Sequence, residues 1–363
     1  MTVSVAAGNC ALCGTNGPLV QSHLIPAFVI RAFKANTLTG FLRDAENPNL
    51  RQQDGKKIPL LCTKCDNERF GAREGTFSQV VFAPWLNKSL SEFTVSEEDL
   101  YFAASLTWRN LAYNLSLTEK ELRDDGHTDE DITAMRDAES ALRRYLVGDS
   151  AYPIKYQQHI VFSGLTSGDS PPGLDAYLQA TLEMYIPGRD DYLYSITNLS
   201  LGILIVCPLR TDDERLAEWA TSGSHLTVGN VLKTSGQQIS DGYFGGLLVQ
   251  RPKQLEKYKD ISDTQKAKIV ASVEKADKTK WSTGFHGAAF QREFEKRQDP
   301  RRYSVSAPKP DGETDATVVP HDRLMIDLND VPDLSSRLDT LAVGSGFRLM
   351  IEDGMFVDIL RIA

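Results

Sequence analysis

Four of the five cysteines in this 363-residue chain fall at a spacing that binds metal. Cys10 and Cys13 form one C-x-x-C, and Cys62 and Cys65 form a second. Each such pair makes a tight turn that aims two sulfurs at one point. Four thiolates at tetrahedral reach suit Zn²⁺, which binds sulfur well and has no geometric preference of its own. The 48 residues between the pairs exceed a short zinc-finger spacer, so the module carries a long insert between its knuckles. A redox dithiol would need one pair in a thioredoxin-like βαβ setting, which the sequence lacks. Cys207, flanked by Ile205, Val206 and Leu209, reads as a buried core cysteine.

The context of the pairs carries more than the pairs. The chain reads Cys10-Ala11-Leu12-Cys13-Gly14, then Ser22-His23-Leu24-Ile25-Pro26, then Leu60-Leu61-Cys62-Thr63-Lys64-Cys65-Asp66-Asn67. Over about residues 8–75 this resembles the zinc-stabilised HNH nucleases, the ββα-metal group within the treble-clef modules. The resemblance implies that the cysteine-bound zinc is structural. It implies that His23 is the general base, taking a proton from the water that attacks a scissile phosphate, a task suited to an imidazole. It further implies a separate divalent cation, Mg²⁺ or Mn²⁺, at the leaving oxygen. Asn67 falls where the family keeps a catalytic polar residue, and Asp66 where it keeps a ligand for that second metal. Proteins resembling this N-terminus also suggest a role in bacterial defence.

The sequence departs from that pattern at several points. Ser22 stands where the family has an acidic or histidine ligand, and a neutral hydroxyl is a poorer ligand than a carboxylate or imidazole. Lys56-Lys57-Ile58-Pro59 occupies the place of the middle Asn, Asn67 is displaced by one residue, and no second His is visible. These departures support an alternative to an endonuclease: a catalytically degenerate zinc module that docks nucleic acid or protein. On that reading His23 is structural, and Asp66 and Asn67 cap a helix.

Charge narrows the partners. The chain carries −9 overall, which excludes a uniformly basic nucleic-acid coat. Residues 1–90 hold ten basic and six acidic side chains, a balance of +4, and the remainder therefore carries −13. Arg51, Lys56, Lys57, Lys64 and Arg69 gather near the second knuckle. They are candidate phosphate contacts, with an ordinary solvated face as the alternative. A protein partner or homo-oligomer is open. With no basic leader before an apolar run and no long apolar stretch, no membrane role and a cytoplasmic setting are expected.

Other motifs carry less. His127, His159, His225, His286 and His321 show no metal-ligand spacing, and Ser224-His225 lacks a G-x-S-x-G partner. Gly242 to Gly246 reads as a glycine-rich turn without a nucleotide fingerprint. Trp108 and Arg109 read as packing residues.

The elements that must position these residues follow from periodicity. A helix is expected after Cys65 and runs through Phe70 to Phe82. Ser96 to Asp99 and Thr128 to Asp131 each open a helix with acids in the first turn. Strands are expected at 159–162, 192–196, 201–206, 247–249, 324–328, 347–351 and 356–362, with a helix at 212–220. Residues 252–278 read as solvated helix and 301–322 as a linker. The fold class is α+β: a small zinc-binding module at 1–90, a helical segment at 91–150 and a mixed α/β body at 151–363.

Overall fold

A computed structural model describes residues 6–37, 39–44, 47–165, 170–189, 192–239, 241–256, 261–275, 281, 284–298, 347–352 and 355–361. It combines helices with several small sheets, an α+β architecture.

The first sheet has the order β1-β2-β5. Strands β1 (Ala6–Asn9) and β2 (Asn16–His23) form an antiparallel hairpin whose turn holds the first cysteine pair. Gly14 closes that turn at φ +74°, a conformation that favours glycine. β2 then pairs antiparallel with β5 (Lys57–Leu61), setting His23 opposite Lys57. Between these strands run the helix Ala27–Asn36 and a ribbon of β3 (Leu42–Arg43) and β4 (Arg51–Gln52). A helix across 64–86 follows directly, as expected from the sequence. Two of its stretches, Lys64–Phe70 and Ser78–Phe82, are wound as π-helix.

The helices Glu97–Asn114, Glu119–Asp124 and Asp129–Val147 each start on a capping box, formed by Ser96 with Asp99, Thr118 with Glu121 and Thr128 with Asp131. The reciprocal bonds satisfy backbone N–H groups that have no partner inside the helix. Gly148, at φ +90°, stops the last one.

The body is built on an antiparallel sheet in the order β7-β11-β10-β8, with β9 also pairing β10. Its strands are β7 (His159–Phe162), β8 (Glu183–Tyr185), β9 (Gly188–Arg189), β10 (Tyr192–Asn198) and β11 (Ile203–Arg210). Both faces are covered. Ile160, Phe162, Ile203 and Ile205 pack on Phe77, Phe82 and Trp85 of the first long helix and on Phe102 and Leu106 of the second. Val161, Tyr194, Leu204 and Val206 pack the other way, on Leu178, Trp219 and Phe244. A third core joins Cys10, Leu12, Cys65 and Phe70 to Trp108, Met135, Leu142, Cys207 and Leu209. Cores therefore draw residues from both sides of residue 90.

Two expectations are corrected. Residues 247–249, read as a strand, lie in the helix Gly242–Glu256, and the supposed glycine-rich turn is its first turn. Tyr243, Phe244 and Leu248 are buried, the last two at an i,i+4 spacing that a short apolar run hides. β11 begins at Ile203 rather than 201 because Ser200, Leu201 and Gly202 all take positive φ in the hairpin tip. Residues 301–322 and 324–328 lie outside the described residues. A two-stranded ribbon pairs β6 (Glu92–Thr94) with β12 (Val231–Lys233). The segments β14 (Phe347–Glu352) and β15 (Met355–Arg361) are strands, with β14 beside β13 (Gln238–Ile239). Among the described residues no helix is long and apolar enough to cross a membrane.

Candidate metal centre and a histidine–aspartate pair

The two knuckles meet. The ligand atoms of Cys10, Cys13, Cys62 and Cys65 all lie within 4.8 Å of one another. The β1–β2 turn presents the first pair, held by the Cys10 N–H on the Thr15 carbonyl and the Gly14 N–H on the Cys10 carbonyl. The second pair sits where β5 gives way to the helix, and the Ala11 N–H donates to the Leu60 carbonyl across the gap. All four cysteines are free thiols.

The donor set fits a zinc ion. A tetrahedron with Zn–S bonds of about 2.3 Å has edges of about 3.8 Å, and Cys13 Sγ lies 3.8 Å from Cys62 Sγ. The electrostatics point the same way. Burial, followed by bonding to Cys13, pushes Cys65 upward, and burial also raises Cys10. Cys13 is opposed by its own burial, but hydrogen bonds from Thr15 and the neighbouring thiols bring it down to about 6. Four thiols this close do not all ionise unaided, and a divalent cation bound there would supply the missing charge.

At the end of β2 away from the knuckles, His23 closes the strand opposite Lys57 with its side chain mostly covered. Its Nε2 lies 2.9 Å from Asp54 Oδ1. Asp54 also meets Lys57 Nζ at 2.5 Å and accepts the Gly55 N–H at 2.9 Å. Partial burial works against the Asp54 charge, but the bonds from Lys57, His23 and Gly55 outweigh it and hold the carboxyl well below the usual carboxylate range. An ionised carboxylate only accepts, so the network assigns the proton to Nε2 and leaves the Nδ1 lone pair to face elsewhere. Gly55 sits so close to the Ala27–Asn36 helix that a Cβ there would be 2.7 Å from Ile30 Cδ1 and 4.0 Å from His23 Cδ2.

Asp54 is the residue that sequence reading missed. Its Asp-Gly dipeptide signals a turn, but nothing in a spacing of 31 residues pairs it with His23. β2–β5 pairing makes that link.

Other sequence candidates are placed differently. Asp66 and Asn67 lie inside the first turn of their helix, whose N-cap position is Thr63, so they are not its caps. Among the described residues the four cysteines form the one group of three or more metal-ligating side chains. Asp66 is therefore not gathered with other donors into a second cation site, and the residues present do not fit an enclosed Mg²⁺ or Mn²⁺. Ser22 is fully buried, and its Oγ has no partner among the described residues.

The five cations do not make one patch. Lys57 is spent on Asp54. Lys56 donates to the Tyr113 hydroxyl, its Nζ 4.2 Å from the ring centroid. Arg51 lies over the Phe41 ring. Lys64 is exposed at the helix start. Arg69 leaves the phosphate-binding set: it donates to the Leu146 and Val147 carbonyls at 3.3 and 2.9 Å, serving the C-terminus of the Asp129–Val147 helix. Arg109 is a packing residue as expected, buried against Glu74 at 2.5 Å and over the Phe70 ring.

Comparisons with protein-family models, curated proteins and solved structures return no match.

Proposed function

We propose that this chain is an HNH-like endonuclease that hydrolyses phosphodiester bonds in DNA or RNA, built on a zinc-held ββα module of the treble-clef type. The pairing of His23 with Asp54, on the strand pair that the two cysteine knuckles tie together, carries this reading. The order of β2, β5 and the helix at 64–86, with a knuckle before and after, supports it. Asp54 fixes the imidazole by accepting its Nε2 proton, and Nδ1 is then the atom that takes a proton from water. The ionised Asp54 also stabilises the imidazolium that results. Zinc holds the knuckles and takes no part in the chemistry. Lys56 supplies a cation near the scissile phosphate. The protein's own donors do not enclose a second metal, so no step is assigned to one.

Plasmid nicking and oligonucleotide cleavage, each with and without Mg²⁺ or Mn²⁺, test the reading. His23→Ala is expected to cut the rate by a factor of about 10² or more. Cleavage that ignores this substitution, or that fails under every metal, counts against it.

Ser22 favours a second reading. A buried serine in place of a metal-binding acid suits a zinc module that binds nucleic acid or protein without cutting. Binding that survives His23→Ala, with no cleavage by the wild type, would select it. Lost binding on adding salt would then mark nucleic acid rather than protein.

A further inference from the structure

A cleft of about 980 Å³ opens next to the His23–Asp54 pair. Leu24, Gly55 and Lys56, the chain neighbours of that pair, form part of its wall. Across from them stand the end of the Glu97–Asn114 helix, the β8–β9 segment and the helix Gly242–Glu256. Its size is at the upper end for ligand clefts.

The lining says what fits. Its charged side chains cancel: Arg43, Lys56 and Arg251 against Asp44, Asp125 and Glu183. Arg251 is further committed to Glu183, with Nε 3.0 Å from Oε1. Nucleic acid of either form gains affinity from uncompensated cations at its phosphates; this cleft offers no such excess, so its selectivity rests on the rest of its lining. What it offers is the rings of Phe33, Tyr113 and Tyr185, with Lys56 over one face of Tyr113 and Arg251 over one face of Tyr185, and primary amides from Gln52, Asn114 and Gln250. An amide presents a donor and an acceptor in one plane, as the edge of a nucleobase does. Asn114 spends its Nδ2 hydrogens on Asn110, so its Oδ1 is the atom left to accept. The side-chain amides of Gln52 and Gln250 have no hydrogen-bond partner among the described residues. Rings that stack and amides that read edges recognise bases only once these are out of a duplex.

We infer that the cleft receives unstacked nucleotides of a single-stranded segment, bases inward, with a phosphate left at the rim by Lys56 and His23. This rests on the endonuclease reading for which phosphate is cut, and it names the substrate as single-stranded nucleic acid.

The test uses the full-length, zinc-loaded His23→Ala chain, which binds without cutting. Fluorescence anisotropy compares a short labelled single strand with the duplex of the same sequence. The single strand is expected to bind at least about tenfold more tightly, with Tyr113→Ala and Gln250→Ala each weakening it at least about fivefold. Zinc content and far-UV circular dichroism report whether those variants stay folded. A photoreactive thymine analogue in the strand is expected to crosslink to peptides containing Tyr113 or Tyr185. Equal or tighter duplex binding, or single-strand binding indifferent to both substitutions, overturns the inference. If wild-type cleavage of duplex DNA depends on His23 while the cleft variants cut normally, the endonuclease reading stands and the cleft is wrong. If single strands bind through the cleft and nothing is cut under any metal, the cleft stands and the endonuclease reading falls.

Discussion

The β1-β2-β5 sheet and the five-stranded sheet of the body hold their shapes by different means. β2 shows an exposed and half-buried pattern along most of its length, with Ser22 its one buried residue. β7 is buried at every position, and β10 and β11 at every position but one each. The first sheet exposes too much of itself to be held by burial alone, and its four sulfurs converge where a metal can supply the rest. The body sheet has helices on both faces and needs no such tie. The expected consequence is that one region depends on metal and the other on packing, even though Cys10 and Cys65 share a core with Cys207.

Metal removal should separate them most strongly. One zinc per chain is expected by elemental analysis, and none in Cys10→Ser or Cys65→Ser. Structural zinc sites contribute on the order of 10 kcal/mol. Hydrogen exchange should show protection lost across β1, β2 and β5 and retained in β10 and β11. Protection lost equally in both sheets would break the comparison.

Phe162→Ala reverses the test. The ring is fully buried, 5.0 Å from Trp85 and 6.3 Å from Phe93 between centroids. Its loss should cost about 3–5 kcal/mol in urea unfolding and leave zinc content unchanged.

Acid should act on the body next. His286 is almost fully buried, and burial, outweighing a backbone bond at Gln179, brings it down to about 4 from 6.5. A folded state that keeps the imidazole neutral binds fewer protons than the unfolded chain. Its stability is therefore full above pH 6.5 and falls as the pH drops toward 4. Between pH 7 and pH 5 this amounts to about 2 kcal/mol. Burial lowers His159 and His225 in the same sense. Urea midpoints at the two pH values, for wild type and His286→Gln, check it: the variant should show the smaller drop.

The smallest effect belongs to a pair outside both regions. Lys120 and Asp124 sit 3.8 Å apart and largely exposed. Lys120→Ala should shift stability by no more than about 0.5 kcal/mol. A larger change would mean that the helical connection carries more of the fold than its exposure indicates.

Local chemistry was legible where one short segment sufficed. The C-x-x-C pairs, the helix starts at Ser96 and Thr128 and the strands at 159–162 and 192–196 are readable because turn geometry and alternation act over a few residues. The error at 247–249 has the same origin: a short apolar run fits a buried strand and a buried helix equally well, and only the packing of Phe244 and Leu248 decides. Asp66 and Asn67 looked like caps because their residue types cap well, yet the helix starts earlier, at Thr63.

The sequence by itself determined that four thiols would favour one metal, that His23 would follow the first knuckle and that acidity would fall outside residues 1–90. Tertiary structure alone decided that Asp54 holds His23, that a neutral cleft opens beside that pair and that Arg69 serves a helix end 77 residues away. The physical reason is separation along the chain. Residue type and short spacing fix what a segment can do, but which carboxylate reaches a histidine depends on the β2–β5 register. What a cleft will accept depends on walls drawn from the whole chain.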